Sequence, residues 1–172
     1  MLKTYPVLIF IFIITLNQNT FTQDKVNPAE IKAQKIKSVT KVSTDLKAAA
    51  NFTPQAVSTI TYDKNGNQSE HIKFARDGSV EIKYTYLYDD HGNNIEVTGI
   101  LPDGSIGNKW TYQYDENNNL IRQTSYRPDG LIGRDYIFSY DENGIRESEL
   151  IYDSKQLIEQ SEYKYEFYGI EN

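Results

Sequence analysis

Three groups of residues in this 172-residue chain are of types that can do chemistry. Paired carboxylates suit acid–base hydrolysis, alternating oxygen ligands suit calcium, and flat rings suit sugars or protein surfaces. Adjacent acids occur at Asp89-Asp90, Asp115-Glu116 and Asp141-Glu142, and alternating oxygens occur at Asp63-Lys-Asn65-Gly-Asn67 and Asp115-Glu-Asn117-Asn-Asn119. The only histidines are His71 and His91, and 22 Tyr, Phe and Trp side chains recur along the chain.

The polar groups do not have the spacing of a metal site or a catalytic site. An EF-hand loop needs glycine at position six and glutamate at position twelve, where a count from Asp115 finds Leu120 and Tyr126. Adjacent acids point apart, whereas catalytic carboxylates converge on one bond from different elements. The chain has no cysteine, no clustered histidines and no glycine-rich phosphate loop. We therefore predict no enzyme, no metal and no cofactor.

The chain repeats itself every 26 residues. Tyr-Asp occurs at Tyr62-Asp63, Tyr88-Asp89, Tyr114-Asp115 and Tyr140-Asp141, and Asp-Gly occurs at Asp77-Gly78, Asp103-Gly104 and Asp129-Gly130. Three residues after the aspartate of each Tyr-Asp pair stands Gly66, Gly92, Asn118 or Gly144. Asparagine is the residue that best replaces glycine where φ must be positive. The recurring acids are therefore predicted to be turn residues.

Each repeat is predicted to contain two tight turns and two strands. The turns have the composition of a type I turn followed by a left-handed residue, and Pro102 and Pro128 pre-set φ in two of them. The intervening runs of seven to ten residues are rich in Tyr, Ile, Val and Thr, as strands are. A degraded fourth copy begins at Tyr152, and its aromatic residues slip by one position. The pattern predicts an all-β, antiparallel meander of repeated β-hairpins in a single twisted or curled sheet.

The turn positions predict which residues face each other. They place Tyr62 opposite Gln68, Ile60 opposite Glu70, Phe74 opposite Val80 and Ile72 opposite Ile82, and side chains alternate between the two faces. One face is expected to hold Ile72, Phe74, Val80, Ile82, Tyr84, Tyr86, Tyr88, Trp110, Tyr112, Tyr114, Tyr136, Phe138 and Tyr140. Near the Asp-Gly turns that face adds Ile100, Ile106 and Ile132, and near the Tyr-Asp turns it adds Glu70, Asn94, Glu96 and Arg122. The opposite face is expected to hold Glu81, Lys83, Thr85, Lys109, Thr111, Asp135 and Ser139.

Three segments divide the chain. Residues 1–22 are predicted to be a signal peptide, since Lys3 precedes a ten-residue apolar run that is shorter than the about 20 residues of a membrane span. Residues 23–57 are a leader with the first strands, including a short helix that starts with Asn27 as N-cap and Pro28 as first residue. Strands are predicted at 39–43 and 57–62, with a loop at 47–54 between them. Residues 58–172 form the repeat domain.

Charge and cysteine usage limit the partners and the compartment. Residues 23–57 have a net charge of +3 (six Lys, three acids), whereas residues 58–172 have −10 (11 basic, 21 acidic). An acidic body does not suit a nucleic-acid partner, because phosphate binding needs clustered basic side chains. An exported chain without cysteine fits a bacterial periplasm or exterior. We expect no stable membrane span after signal cleavage.

The repeat units resemble a known family. Tyr62-Asp-Lys-Asn-Gly-Asn67, Tyr88-Asp-Asp-His-Gly-Asn93 and Tyr140-Asp-Glu-Asn-Gly144 are similar to the YD repeats of bacterial RHS-type proteins, over residues 58–168. In that family such repeats form a spiralling β-shell around a C-terminal toxin domain. Only four residues follow Tyr168 and the period is longer than usual, so we expect a short version without toxin or catalytic residues. Asp103-Gly104 with Gly107 and Trp110 is a weaker match to MORN-type repeats.

Two functions remain open from the sequence. The first is an exported, non-enzymatic module for binding or structural interaction, with a glycan or cell-surface ligand favoured. The second is a protein-partner module, inhibitor or immunity-like, that docks through its aromatic face or a sheet edge. The same rings would equally serve as the protein's own core. The candidate binding residues are Tyr84, Tyr86, Trp110, Tyr112, Tyr136 and Phe138.

Overall fold

The computed structural model describes residues 27–43 and 55–168, which form one short helix and a single antiparallel sheet. The sheet has ten strands in sequence order, so each strand pairs with its chain neighbours. The predicted all-β hairpin meander is confirmed. The elements are α1 (Pro28–Ala33), β1 (Ser38–Ser43), β2 (Gln55–Tyr62), β3 (Gln68–Phe74), β4 (Val80–Tyr88), β5 (Asn94–Ile100), β6 (Ile106–Tyr114), β7 (Leu120–Tyr126), β8 (Ile132–Tyr140), β9 (Arg146–Asp153) and β10 (Gln156–Glu162).

Two predictions fall on residues outside these ranges, namely the signal peptide at 1–22 and the loop at 47–54. Within the described ranges, no helix has the length and apolar character needed to cross a membrane.

Both kinds of predicted turn form. In the Tyr-Asp turns (residues 63–67, 89–93, 115–119 and 141–145), the fourth residue has φ of 88°, 85°, 63° and 76° in turn. The third of these is Asn118, which confirms it as the replacement for glycine. In the Asp-Gly turns (residues 75–79, 101–105 and 127–131), the glycines have φ of 79–84°. In every one of these turns, the amide of the positive-φ residue donates to the carbonyl of the first residue.

Each hairpin from β2 to β9 contains one extra residue close to its turn, which the sequence did not reveal. Tyr62 pairs with Gln68 as predicted, but Thr61 then pairs with Glu70 and Ile60 with His71. The predicted pairing of Ile60 with Glu70 is therefore wrong. The extra residue is a β-bulge, which leaves one residue without a partner and shifts every later pair by one.

The same bulge follows the Asp-Gly turns. Phe74 pairs with Val80 as predicted, but Ile72 pairs with Lys83, so the predicted Ile72–Ile82 pair is wrong. A one-residue shift transfers a side chain to the other face. Glu81 is the extra residue of this bulge, and the alternation of the strand does not assign it a face.

The bulges redistribute the two faces. The aromatic face holds the Tyr, Trp and Phe residues at 84, 86, 88, 110, 112, 114, 136, 138 and 140, together with Ile82 and Asn94, as predicted. The ion-pair face holds Lys83, Thr85, Lys109, Thr111, Asp135 and Ser139, also as predicted. The aliphatic ends were assigned to the wrong face, because Ile100 pairs with Lys83. The residues that lie on the ion-pair face contrary to prediction are Ile72, Phe74, Val80, Ile100, Ile106, Ile132, Glu70, Glu96 and Arg122.

The ion-pair face carries one pair of oppositely charged side chains in each of three copies. Lys83 Nζ lies 3.7 Å from Glu70, and Lys109 Nζ lies 2.8 Å from Glu96. In the third copy the signs are exchanged, and Arg122 Nη2 lies 2.6 Å from Asp135. Burial alone would raise the pKa of Asp135, but hydrogen bonds from Arg122 and Thr124 outweigh it and lower that pKa. In all three copies, a basic and an acidic side chain therefore lie across from each other on neighbouring strands, which favours this register.

The predicted helix start is confirmed, and α1 packs on the first Tyr-Asp turn. The Asn27 side chain accepts from the Ala29 amide at 2.9 Å, and Pro28 begins the helix. A Cβ at Gly66 would collide with the Pro28 carbonyl, so the helix backbone approaches the turn closely. Ile31 is 1% exposed, making it the most buried large side chain in the described residues. The helix therefore covers the first Tyr-Asp turn.

Candidate functional site

The turn carboxylates are occupied in holding their own turns. Asp115 Oδ1 accepts from the amides of Asn117 and Asn119 at 2.9 and 2.8 Å, and Oδ2 accepts from the Asn119 side chain at 3.0 Å. The Asn119 side-chain bond is the largest cause of the lowered pKa of Asp115. The other Tyr-Asp turns are built in the same way. These acids cap their turns, and within the described ranges no cluster of three His, Asp or Glu could hold a metal ion.

The tyrosine of the Tyr-Asp pair ties neighbouring copies together. The Tyr114 hydroxyl donates to the Asn94 carbonyl at 3.0 Å, and Tyr140 donates to the Leu120 carbonyl at 2.8 Å. Tyr165 makes the equivalent bond to Arg146 at 2.8 Å, one residue early, as the slip in the fourth copy predicts. Burial raises the pKa of Tyr114, so its hydroxyl stays protonated and able to donate. These tyrosine hydroxyls therefore have a structural role. The candidate site lies among the aromatic rings that are farther from the Tyr-Asp turns.

Tyr84 and Trp110 form an aromatic platform at the middle of the sheet. Their ring centroids are 6.3 Å apart with planes tilted by 40°. Gly99 is buried on the strand between them, and a Cβ there would lie 3.0 Å from Tyr84 Cε1. Because glycine has no side chain, the tyrosine ring covers its backbone, a known way of shielding a glycine in a sheet. Both rings are half-buried, which leaves part of each available to a ligand.

The other predicted binding residues lie on the same face but differ in accessibility. Tyr136 stacks on Phe138 with centroids 6.5 Å apart and planes 14° apart. Phe138 is only 8% exposed, because the Arg146 guanidinium lies 4.2 Å above its ring. Tyr86 and Tyr112 are half-buried, and burial raises the pKa of Tyr112. The structure thus brings all six residues onto one face of β4, β6 and β8, and five of them retain exposed surface.

Cationic side chains flank the platform. Lys73 Nζ lies 5.5 Å from the Tyr84 centroid, within cation–π range. Arg134 is exposed on β8, and a hydrogen bond with Tyr136 is the largest cause of its raised pKa. The His71 ring is 6.1 Å from that of Tyr84, and its pKa is lowered first by burial and then by Lys73. The platform therefore offers rings at its centre and hydrogen-bond donors at its margins.

Sequence reasoning missed the residues that shape the platform. Gly99 was available as a signal, because glycine inside a strand often marks the close approach of another group. Asn108 packs against Gly99, and its Oδ1 is buried without a hydrogen-bond partner in the described residues. Arg146 occupies the repeat position of Asn94 and Leu120, and an alignment of the three copies shows that it alone is charged there. Lys73 was hidden by the bulge, which moves it to the aromatic face opposite Ile82.

Comparisons with known proteins reveal similarity of fold only. No family model matches the chain, and no curated protein matches it. The solved structure of TcdB2-TccC3-TEV matches 73% of this chain at 18% identity and a TM-score of 0.51, and the match spans 6% of that protein. A porin-like protein from Bacteroides uniformis matches 70% of this chain at 17% identity and TM-score 0.39, over 48% of its own length. A Bacteroides fragilis protein of unknown function matches 76% of this chain at 12% identity and TM-score 0.39, over 96% of its length.

Proposed function

We propose that this protein is an exported, non-enzymatic β-repeat module that binds a glycan or cell-surface ligand on its aromatic face. The observation that carries the proposal is the half-exposed Tyr84–Trp110 platform over Gly99. We also propose that the module is a short relative of the YD repeats in RHS-type proteins. The Tyr-Asp motif supports this, as does the fold shared with part of TcdB2-TccC3-TEV.

The chemistry of the aromatic face suits a sugar. Sugar rings have an apolar C–H face that stacks on aromatic rings, and hydroxyl edges that accept hydrogen bonds. The platform supplies the rings, while Lys73 beside Tyr84 and Arg134 beside Tyr136 supply hydrogen-bond donors. Strand backbones carry the rings, and tyrosine bonds tie the copies, so little conformational entropy is lost on binding. The turn acids accept hydrogen bonds from their own turns, and for this reason we propose a binding role rather than hydrolysis.

The test is a glycan array followed by titration calorimetry with the best ligand. Trp110→Ala and Tyr84→Ala are expected to weaken binding at least about tenfold, equivalent to about 1.4 kcal/mol. Gln113→Ala is the matched control, because Gln113 is exposed on the same strand as Trp110 but lies on the ion-pair face. Unchanged binding by Trp110→Ala, or glycan cleavage lost on removing a single acid, would overturn the proposal.

A second candidate function is a protein-partner module of the inhibitor or immunity-like kind. It is favoured by β1, which is exposed along its whole length at one edge of the sheet and could pair with a strand of another protein. In this case the array detects no glycan. A single protein then co-purifies in a stoichiometric complex, and proline at Thr40 abolishes the complex. Glycan binding that survives this substitution contradicts the second candidate.

A further inference from the structure

The two edge strands of the sheet are both open. β1 and β10 each pair with one neighbour in the described part of the chain, so each has one side of unpaired backbone N–H and C=O groups. Val42 on β1 is 55% exposed, and Ile158 on β10 is 50% exposed. An open edge with exposed apolar side chains is a template for another strand.

The two edges have opposite charge. Strand β1 contains Lys41 and no acid, a net of +1, and together with α1 the residues 27–43 have a net of 4 − 1 = +3. Strand β10 contains Glu159 and Glu162 and no basic residue, a net of −2, and together with β9 and residues 163–168 the segment 146–168 has a net of 3 − 6 = −3. Contact between two β1 edges or two β10 edges is therefore repulsive, whereas contact of β10 with β1 of another copy is attractive. This charge pattern selects a second copy of the chain in a head-to-tail orientation.

The strand directions and the faces agree with that contact. Ten is an even number, so β10 runs antiparallel to β1, and a second copy's β1 beside β10 continues the alternation. Lys41 lies on the aromatic face, because it pairs with Ser58 and Ser58 pairs with Lys73. Glu159 lies on the same face through Ile151, which pairs with Tyr136. Lys41 opposite Glu159 then sets Val39 opposite Ser161 and Thr40 opposite Gln160, each pair on one face.

We propose that copies of this protein associate head to tail, with β10 of one copy pairing with β1 of the next, in the register that sets Lys41 opposite Glu159. Such a contact uses two different surfaces and does not close on itself in a dimer, so it extends the sheet copy by copy. The aromatic faces of successive copies become one continuous surface. The association is independent of the ligand that this surface binds.

Exchange of the two charges tests the register and direction. Lys41→Glu alone and Glu159→Lys alone each create a like-charge pair, and each is expected to lower the association constant about tenfold, or 1.4 kcal/mol. An equimolar mixture of the two variants is expected to associate as wild type does, since every contact in an alternating array is then between opposite charges. Sedimentation velocity over a range of concentrations at low and high salt measures this, with far-UV circular dichroism to confirm folding. Wild-type protein that stays monomeric throughout, or a mixture that is not rescued, overturns the proposal.

Engineered disulfides provide a second test, since the chain has no cysteine of its own. Val39→Cys combined with Ser161→Cys places the two sulfurs on one face and directly opposite across the contact. Oxidation is expected to give a ladder of dimers, trimers and larger species on a non-reducing gel. The control combines Thr40→Cys with Ser161→Cys, whose side chains lie on opposite faces. Equal ladders from the two proteins, or none from the first, overturn the register.

Discussion

The Tyr-Asp turns and the Asp-Gly turns lie at opposite ends of the same strands and share one backbone design, and the Tyr-Asp row is bonded from copy to copy. Tyr114 and Tyr140 each donate to the strand that follows the preceding Tyr-Asp turn, and the Asn93 side chain donates to Asn118 in the next turn at 2.9 Å. In the Asp-Gly row, a Cβ at Gly78, Gly104 or Gly130 would meet nothing within 4 Å.

The difference shows that neighbouring copies of the repeat are joined at the Tyr-Asp end of the strands. Both rows have a capping aspartate and a positive-φ residue, so turn chemistry alone does not explain why tyrosine precedes the aspartate in one row. The tyrosine adds a bond to the backbone of the preceding copy, which the capping aspartate and the positive-φ backbone do not supply. Damage to the Tyr-Asp row is therefore expected to spread between copies, whereas damage to the Asp-Gly row stays local.

The largest effect is expected for Tyr114→Ala. Loss of the half-buried ring and its bond to Asn94 is expected to lower the free energy of unfolding by about 3 kcal/mol. Tyr114→Phe removes only the hydrogen bond and is expected to lower it by about 1 kcal/mol. Ile106→Ala, at the Asp-Gly end of the same strand, is expected to cost less than about 1 kcal/mol because Ile106 is 48% exposed. Urea denaturation measures all three. Equal losses at the two ends of β6 would remove the distinction between the rows.

A glycine in each row provides the next comparison. Gly66→Ala is expected to cost about 3 kcal/mol, because alanine disfavours φ of +88° and its Cβ collides with the Pro28 carbonyl of α1. Gly78→Ala has nearly the same φ but open space around it, so about 1 kcal/mol is expected. Thermal and urea unfolding of the two variants give the difference. A Gly78→Ala cost as large as that of Gly66→Ala would show that α1 does not pack on the first turn.

The capping aspartates predict an acid dependence. Side-chain hydrogen bonds, from Asn119 to Asp115 and from Ser105 to Asp103, are the largest causes of the lowered pKa of each carboxyl. A pKa that folding lowers contributes stability above the ordinary carboxyl pKa of about 3.9, and this is lost as pH falls through the folded pKa. Asp115→Asn and Asp103→Asn are therefore expected to lower the melting temperature at pH 7 and to approach wild type below about pH 3. The larger drop is expected for Asp115, whose partner Asn119 lies 3.5 Å from the Cβ position of Gly144.

The smallest effect is expected for Asn118→Gly. Glycine relieves the cost of φ = +63°, about 1 kcal/mol, but removes the bond from Asn93, which is worth a similar amount. The two effects oppose each other, so the free energy of unfolding is expected to change by less than about 0.5 kcal/mol. A gain above 1 kcal/mol in urea denaturation would show that the Asn93–Asn118 bond contributes nothing to coupling.

Much of the candidate site was predictable, because the 26-residue period places Tyr84, Trp110 and Tyr136 at equivalent positions on alternate strands. Their common face needed only alternation within each strand. Their partners on intervening strands were not predictable, since these depend on the bulges. Lys73 reaches the platform across a bulged pairing, and Arg146 reaches Phe138 in the same way.

The sequence by itself determined the turns, the strands and the N-cap of α1, because turn and cap preferences arise from a residue's own φ and its hydrogen bonds to immediate neighbours. The turn bonds from the amides of Gly66 and Asn118, and the bond from the Ala29 amide to the Asn27 side chain, each join residues close together along the chain. The tertiary structure alone decided the bulges, the tyrosine bonds between copies, the packing of α1 on Gly66 and the covering of Gly99 by Tyr84. A bulged and an unbulged strand share the same turn and the same alternating pattern. Only contacts between strands distinguish them, through opposite charges such as Arg122 and Asp135 that must meet on one face.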